Sequence, residues 1–312
     1  MPRRSKELFD ELEGLSTEQR NPRTLGIDGM SIRDILQMIN AEDKKVATAV
    51  GNEVGNIAKA VDLVVESLSN GGRLIYVGAG TSGRLGILDA VECPPTFGTN
   101  SETIQGIIAG GKRAVFRSVE GAEDRAAEGR LAIDRKRVSS KDVVCGIAAS
   151  RRTPFVISAV RRARERGAKT IYITTNARRN FHLKVDVAIC PVVGPEVIMG
   201  STRMKSGTAQ KLVLNMITTA AMIKLGKVYE NMMVDLQLKS RKLEERAKRV
   251  LMIATGVRYE KAERTLRVAG GHVKTAIVML KAKVGVNEAK RRLAEAEGFV
   301  RAAIQMERSS SH

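Results

Sequence analysis

Five short apolar runs, at residues 73–78, 103–109, 142–148, 169–174 and 186–189, alternate with stretches of helical pattern. Each run is apolar at nearly every position rather than every second one, which marks a strand buried on both faces. Strands of that kind pair in parallel, because the intervening helix returns the chain to the same end of the sheet. The pattern therefore predicts an α/β domain with a doubly wound parallel sheet. Its helices are expected at 81–91, 112–136, 154–166 and 208–225.

The flanks read differently. Residues 1–30 are polar and turn-rich, with Asn21-Pro22 and Gly26, and are expected to form an N-terminal arm over the surface. A long helical stretch runs from Ser31, which with Asp34 resembles a capping box, to residue 68. The α/β domain is thus expected over 31–238. From 239 to 312 the pattern is helical only: 239–253, then three short units at 260–269, 274–280 and 287–296. Gly256, Gly270-Gly271, Gly285 and Gly298 punctuate them, as helix stops do. This is read as a small C-terminal three-helix unit.

Composition narrows the function. Aromatic residues make up 3% of the chain with no Trp, so the core must be aliphatic, and a platform for stacking single-stranded bases is disfavoured. The net charge of +19 would suit a nucleic acid, but the basic residues are interleaved with acids and form no tail. A solvated surface suited to phosphorylated anions is expected, with no nucleic-acid partner. Cys93, Cys145 and Cys190 are far apart, so neither a disulfide framework nor a zinc site is expected. The uncharged stretch at 212–223 falls well short of the roughly 20 residues that span a bilayer. The start lacks an apolar signal core, and the cytoplasm is the expected location, with no membrane partner.

Ligands of doubly wound folds bind beyond the carboxyl ends of the strands, which selects four loops. The first, Gly78-Ala79-Gly80-Thr81-Ser82-Gly83-Arg84, formally matches the GxGxxG dinucleotide pattern. A dinucleotide site also wants an acid at the end of the second strand, where this chain has Ala109-Gly110-Gly111. Thr81, Ser82 and Gly83 at a helix start suit a monophosphate instead, and a structural glycine turn is the remaining reading. In the second loop, Ser150, Arg152 and Thr153 before Pro154 offer hydroxyls and a guanidinium to an anion, or form a plain helix start. The third holds Glu92 before Cys93-Pro94-Pro95, a carboxylate on a rigid turn. The fourth, Glu120-Gly121-Ala122-Glu123-Asp124, clusters acids in a basic protein, commonly the charged face of a helix.

At these loops the chain closely resembles the N-acetylmuramic acid 6-phosphate etherases, a family of the sugar-isomerase (SIS) fold. The resemblance rests on GGRLIYVGAGTSGRLGILDAVECPPTFG (71–98), STEQRNP (16–22), VEGAED (119–124), PVVGPEVIMGSTRMKSGTAQKLVLNM (191–216) and KTAIVML (274–280). It implies a lyase that removes the D-lactyl ether at carbon 3 of a phosphorylated amino sugar, N-acetylmuramic acid 6-phosphate. Elimination through an open-chain unsaturated aldehyde, then hydration, gives N-acetylglucosamine 6-phosphate and D-lactate. No cofactor and no metal are implied. By motif, Glu92 and Glu123 match the family's catalytic glutamates, and Ser82, Ser150 and Thr153 match the fold's phosphate-binding hydroxyls. Lys205 and Lys211 become candidate substrate contacts, and a homodimer is implied.

The chain departs from the family at Arg151, where ASRRTP replaces the usual ASGRTP. If that position needs a positive φ, arginine costs roughly 1–2 kcal/mol there; alternatively its charge adds to phosphate binding. The segment 177–182 also lacks the family's usual Asn-Pro turn. Two other functions share this fold: a non-catalytic sugar-phosphate sensor like the mammalian glucokinase regulatory protein, and an aldose–ketose isomerase. Retention of both Glu92 and Glu123 favours chemistry over sensing.

Overall fold

The computed structural model describes residues 14–236 and 241–306. The chain divides into two compact units. Among the described residues, one holds those up to Val91 together with Glu102–Thr218, and the other holds Glu92–Ser101 together with those from Thr219 onward.

The first unit is built on five parallel strands: β1 (Leu74–Gly78), β2 (Ile104–Ile108), β3 (Val143–Ile147), β4 (Lys169–Ile173) and β5 (Val187–Ile189). Their order is β2-β1-β3-β4-β5. In β1 and β3 every residue is buried, which is why these runs carry no polar alternation. Ile75, Val77 and Val144 pack with Ile133, Val156 and Val160 of the covering helices, and Tyr172 fills space that an aliphatic core leaves open. The strand order reverses beside β1, so the crevice between the ends of β1 and β3 is the topological switch point.

Before the sheet come α1 (Ile32–Gly51) and α2 (Val54–Ser69). The expected single helix is thus two: Asn52 closes α1 by donating its N–H to the Thr48 carbonyl. Ser31 caps α1, with its Oγ accepting from the Asp34 N–H at 3.3 Å and donating to the Asp34 carboxylate at 2.6 Å. Residues 14–30 are tied down rather than draped. Leu15 and Thr17 are fully buried, Ser16 donates its N–H to Asn176 Oδ1, and Thr24 Oγ1 donates to the Val197 carbonyl.

After β1 runs α3 (Gly80–Phe97), after β2 the single turn α4 (Arg113–Phe116) and then α5 (Ala126–Arg135). After β3 runs α6 (Pro154–Glu165), and after β5 the long α7 (Lys205–Lys224). Two sequence expectations fail here. Glu92 sits inside α3 rather than on a turn, because the helix continues through Pro94 and Pro95 to Phe97. The two prolines cannot donate to the carbonyls four residues back, yet Gly98 N–H still closes the last turn on the Pro94 carbonyl. Conversely, no helix spans 112–136: residues 117–125 form a turn between α4 and α5.

The second unit contains a short antiparallel pair, β6 (Val228–Tyr229) and β7 (Met232–Met233). Its helices are α8 (Arg241–Thr255), α9 (Tyr259–Val268), α10 (Val273–Ala282), α11 (Val286–Glu295) and α12 (Val300–Gln305). The three short helices expected after residue 253 are α9 to α11, and α12 adds another turn and a half. Leu251, Leu266, Ile277, Val278 and Val300 form its core.

Candidate functional site

The glycines of the first loop are explained by packing before any ligand is invoked. Gly80 has φ +51°, a left-handed value that other residues adopt only with strain. A Cβ on Gly78 would stand 2.5 Å from the Gly83 nitrogen, and one on Gly83 would stand 2.6 Å from Ile108. The strand and its helix therefore touch backbone to backbone. Gly83 serves this contact and does not line the cavity described next.

A cavity of about 420 Å³ opens at the switch point, lined by both loops that follow β1 and β3. Thr81 and Ser82 enter it from the start of α3, and Ser150, Arg152 and Thr153 from the loop before α6. Thr153 is the N-cap of α6, yet its side chain makes no capping bond to that helix. Glu123 and Asp124 line the same cavity, as do Glu18, Gly200 and Thr202. Arg152 is the only cationic side chain in this lining among the described residues.

The acidic turn is positioned by α6. The Phe155 N–H, in the first turn of α6, donates to the Glu123 carbonyl at 2.9 Å. Gly121, with φ +70°, reverses the chain two residues earlier. The Glu123 carboxyl is held above the usual carboxylate range, first by partial loss of solvent and then by repulsion from Asp124 and Glu120. A carboxyl so raised holds its proton more readily than an ordinary glutamate.

Other predicted residues lie elsewhere. Glu92 is exposed on α3, 12 residues beyond Gly80 or about 18 Å of helical rise, and is not among the lining residues of this cavity. Lys205 is buried, its Nζ donating to Glu42 Oε2 at 2.6 Å and to the Val193 carbonyl at 2.9 Å. Burial alone would raise the Glu42 carboxyl, but its bonds to Lys205 and Lys45 hold it at about 2. This ammonium is committed to the interior rather than to a ligand. Buried Glu196 accepts from the Lys205 and Ser206 N–H groups and so caps α7 with both carboxylate oxygens. Lys211 is exposed on α7, outside the cavity lining.

Arg151 has φ +63°, so the arginine does occupy a left-handed position. It is absent from the 420 Å³ cavity and lines a separate one of about 300 Å³ with Arg152, Arg161, Phe181 and His182. Residues 177–182 form a single 3-10 turn, Arg178–Asn180, held by Arg178, which donates to Glu53 and to the Ala188 carbonyl. Sequence reasoning missed Glu18 and Thr202. Their segments join the site only through long-range bonds, such as the Gly200 N–H to the Thr17 carbonyl.

The family described as glucokinase regulatory protein N-terminal SIS domain matches residues 56–164, and the SIS domain family matches residues 123–220. The N-acetylmuramic acid 6-phosphate etherase of Salinibacter ruber is 61% identical over 291 residues, covering 92% of this chain and 94% of that protein. That of Clostridium acetobutylicum is 58% identical over 270 residues, covering 86% and 89%. That of Clostridioides difficile is 54% identical over 275 residues, covering 88% and 90%. Identity at this level across nearly the whole of each chain places this protein in the N-acetylmuramic acid 6-phosphate etherase family.

Proposed function

We infer that this chain cleaves the D-lactyl ether of N-acetylmuramic acid 6-phosphate, yielding N-acetylglucosamine 6-phosphate and D-lactate. The observation that carries the reading is the switch-point cavity, where phosphate-type hydroxyls and Glu123 meet in a chain so similar to named etherases. In the proposed reaction Thr81, Ser82, Ser150, Arg152 and Thr153 anchor the phosphate. The open-chain aldehyde acidifies the proton at carbon 2, which a carboxylate removes; the lactate oxygen leaves as it is protonated; water then adds at carbon 3. We assign proton transfer at carbon 2 to Glu123 and leaving-group protonation to Glu92; since Glu92 lies outside this cavity on its own chain, the assignment requires a second copy of the chain to bring it there. The reaction as written needs neither metal nor redox cofactor.

The sensing and isomerase readings are not favoured beside relatives named etherases over most of the chain. We further propose a homodimer with the active site near the subunit interface. Leu88 and Val91 on α3 are more than half-exposed or close to it, an apolar surface beside Glu92 that a second copy would cover. The cytoplasm is the proposed location, and a role in recycling cell-wall amino sugars follows from the substrate. Among the described residues, no helix is long and apolar enough to cross a membrane. Incubation of the purified protein with N-acetylmuramic acid 6-phosphate tests the central reading. D-lactate and N-acetylglucosamine 6-phosphate should appear in equal amounts, and no lactate release would refute it.

A further inference from the structure

Ser82 stands at the phosphate end of the cavity with its hydrogen already engaged. Its Oγ donates to Gln210 Oε1 at 2.9 Å, and both side chains are more than nine-tenths buried. Gln210 projects from α7, the helix whose start is fixed by Glu196. The other half of its carboxamide, Nε2, is buried and makes no hydrogen bond.

This arrangement is mismatched to a phosphate. A hydroxyl carries one hydrogen, and a phosphate dianion only accepts. With that hydrogen on Gln210, Ser82 presents lone pairs to the anion. A half-turn of the carboxamide about its last bond exchanges Oε1 and Nε2. Nε2 then donates to Ser82 Oγ, and the hydroxyl hydrogen is released toward the phosphate. The same half-turn gives the unpartnered Nε2 an acceptor, and it creates a chain of two bonds that polarise each other.

We propose that Gln210 is a positioning residue for phosphate recognition: its carboxamide sets the direction of the Ser82 hydroxyl and turns over when the substrate binds. The inference rests on the phosphate reading of this loop and goes beyond it by making a residue outside the cavity lining responsible for the loop's polarity.

Three substitutions test it. Gln210→Glu keeps the shape but supplies only an acceptor while ionised, so it holds the hydrogen of Ser82. Gln210→Met removes both polar atoms and leaves the hydroxyl free to rotate. Both are compared with wild type, and again in a Ser82→Ala background. The readouts are KM and kcat for D-lactate release at pH 8, inhibition by inorganic phosphate, and the melting temperature. Gln210→Glu should raise KM about tenfold or more, the size expected for losing a hydrogen bond to a charged group, with a much smaller change in kcat. Gln210→Met should raise KM less. The defect of Gln210→Glu should shrink, relative to wild type, as falling pH protonates the new carboxyl into a donor.

In the Ser82→Ala background Gln210→Glu should add nothing further. An unchanged KM in Gln210→Glu overturns the inference. So does an equal rise in KM with and without Ser82, which would mean that charge alone repels the substrate. If Ser82→Ala by itself leaves KM unchanged, the phosphate reading of the loop falls first and this inference with it.

Discussion

The Phe155 amide donates to the Glu123 carbonyl at 2.9 Å, joining the first turn of α6 to the acidic turn that precedes α5. That bond sets the height of the Glu123 carboxyl over the loop that carries Thr153. The approach of α5 to α6 leaves no slack, since a Cβ on Gly129 would lie 2.1 Å from the Phe155 carbonyl oxygen. Gly129→Ala must therefore push the helices apart. Overpacking of this kind costs about 1–3 kcal/mol, against which the better helix propensity of alanine returns about 1 kcal/mol. A net loss of stability is expected in urea denaturation, with a fall in kcat as Glu123 is displaced. Unchanged stability and rate would show that the two helices separate freely.

The two glutamates should be separable by isotope exchange. Glu92→Gln should lower lactate release by about 10²- to 10⁴-fold, the usual contribution of a positioned acid, while still exchanging the carbon 2 hydrogen with deuterium from solvent. Glu123→Gln should lose both reactions. The reverse pattern of exchange would swap the two roles, and wild-type release in both variants would remove both from catalysis.

Glu123 also predicts a pH dependence. Its carboxyl is raised by lost solvation and by the neighbouring Asp124 and Glu120. As a base it must be ionised, so kcat/KM should fall on the acid side at a pH above the ordinary glutamate value of about 4.3. Asp124→Asn removes one repelling charge and should move that limb to lower pH. A limb that stays in place would mean that another group controls it.

Arg151 offers a stability test independent of catalysis. Its φ of +63° is strained for arginine and free for glycine. Arg151→Gly should stabilise the protein by about 1 kcal/mol, the left-handed penalty less part of glycine's unfolded-state entropy. Because Arg151 lines a different cavity from Ser82 and Thr153, KM should change by less than about twofold. A large rise in KM would instead assign its charge to phosphate binding.

Asp89 is buried on α3 and receives hydrogen bonds from Tyr76 Oη, Asn215 Nδ2 and Thr218 Oγ1, at 2.9, 2.8 and 3.2 Å. Burial still outweighs these donors and the pull of Lys211, so its carboxyl is raised. A raised carboxyl contributes stability below its unfolded value of about 3.9, and that contribution is lost as pH rises through the folded value. Asp89→Asn keeps an acceptor for Asn215 and Thr218 without a charge to bury. Unfolding at pH 4 and pH 7 should therefore show a gain for the variant at pH 7 that shrinks at pH 4. A variant less stable at pH 7 than at pH 4, relative to wild type, would contradict this.

The sheet was legible because burial on both faces writes itself into consecutive residues: each of the five strands lies inside its apolar run to within a residue or so. The acidic turn was not, because Ala, Glu and Arg around residues 122–135 favour a helix, and only Gly121 and the bond from Phe155 interrupt it. Pro94 and Pro95 misled in the opposite sense, since proline ordinarily ends a helix. Lys205 looked free because its partner, Glu42, lies 163 residues away in sequence. Gln210 gave no signal, since its relation to Ser82 exists only once α7 has docked beside α3.

The three cysteines give the molecule internal clocks. Cys93, Cys145 and Cys190 are buried and form no disulfide, Cys93 in the second compact unit and the other two in the first. Burial pushes the Cys190 thiol up to about 11 and raises that of Cys145 as well, so neither supplies a reactive thiolate near neutrality while its surroundings stay packed. Alkylation of each sulfur then waits on exposure of its surroundings. The rate of covalent labelling at Cys93, set against that at Cys145, reads out separately how often each compact unit breathes open.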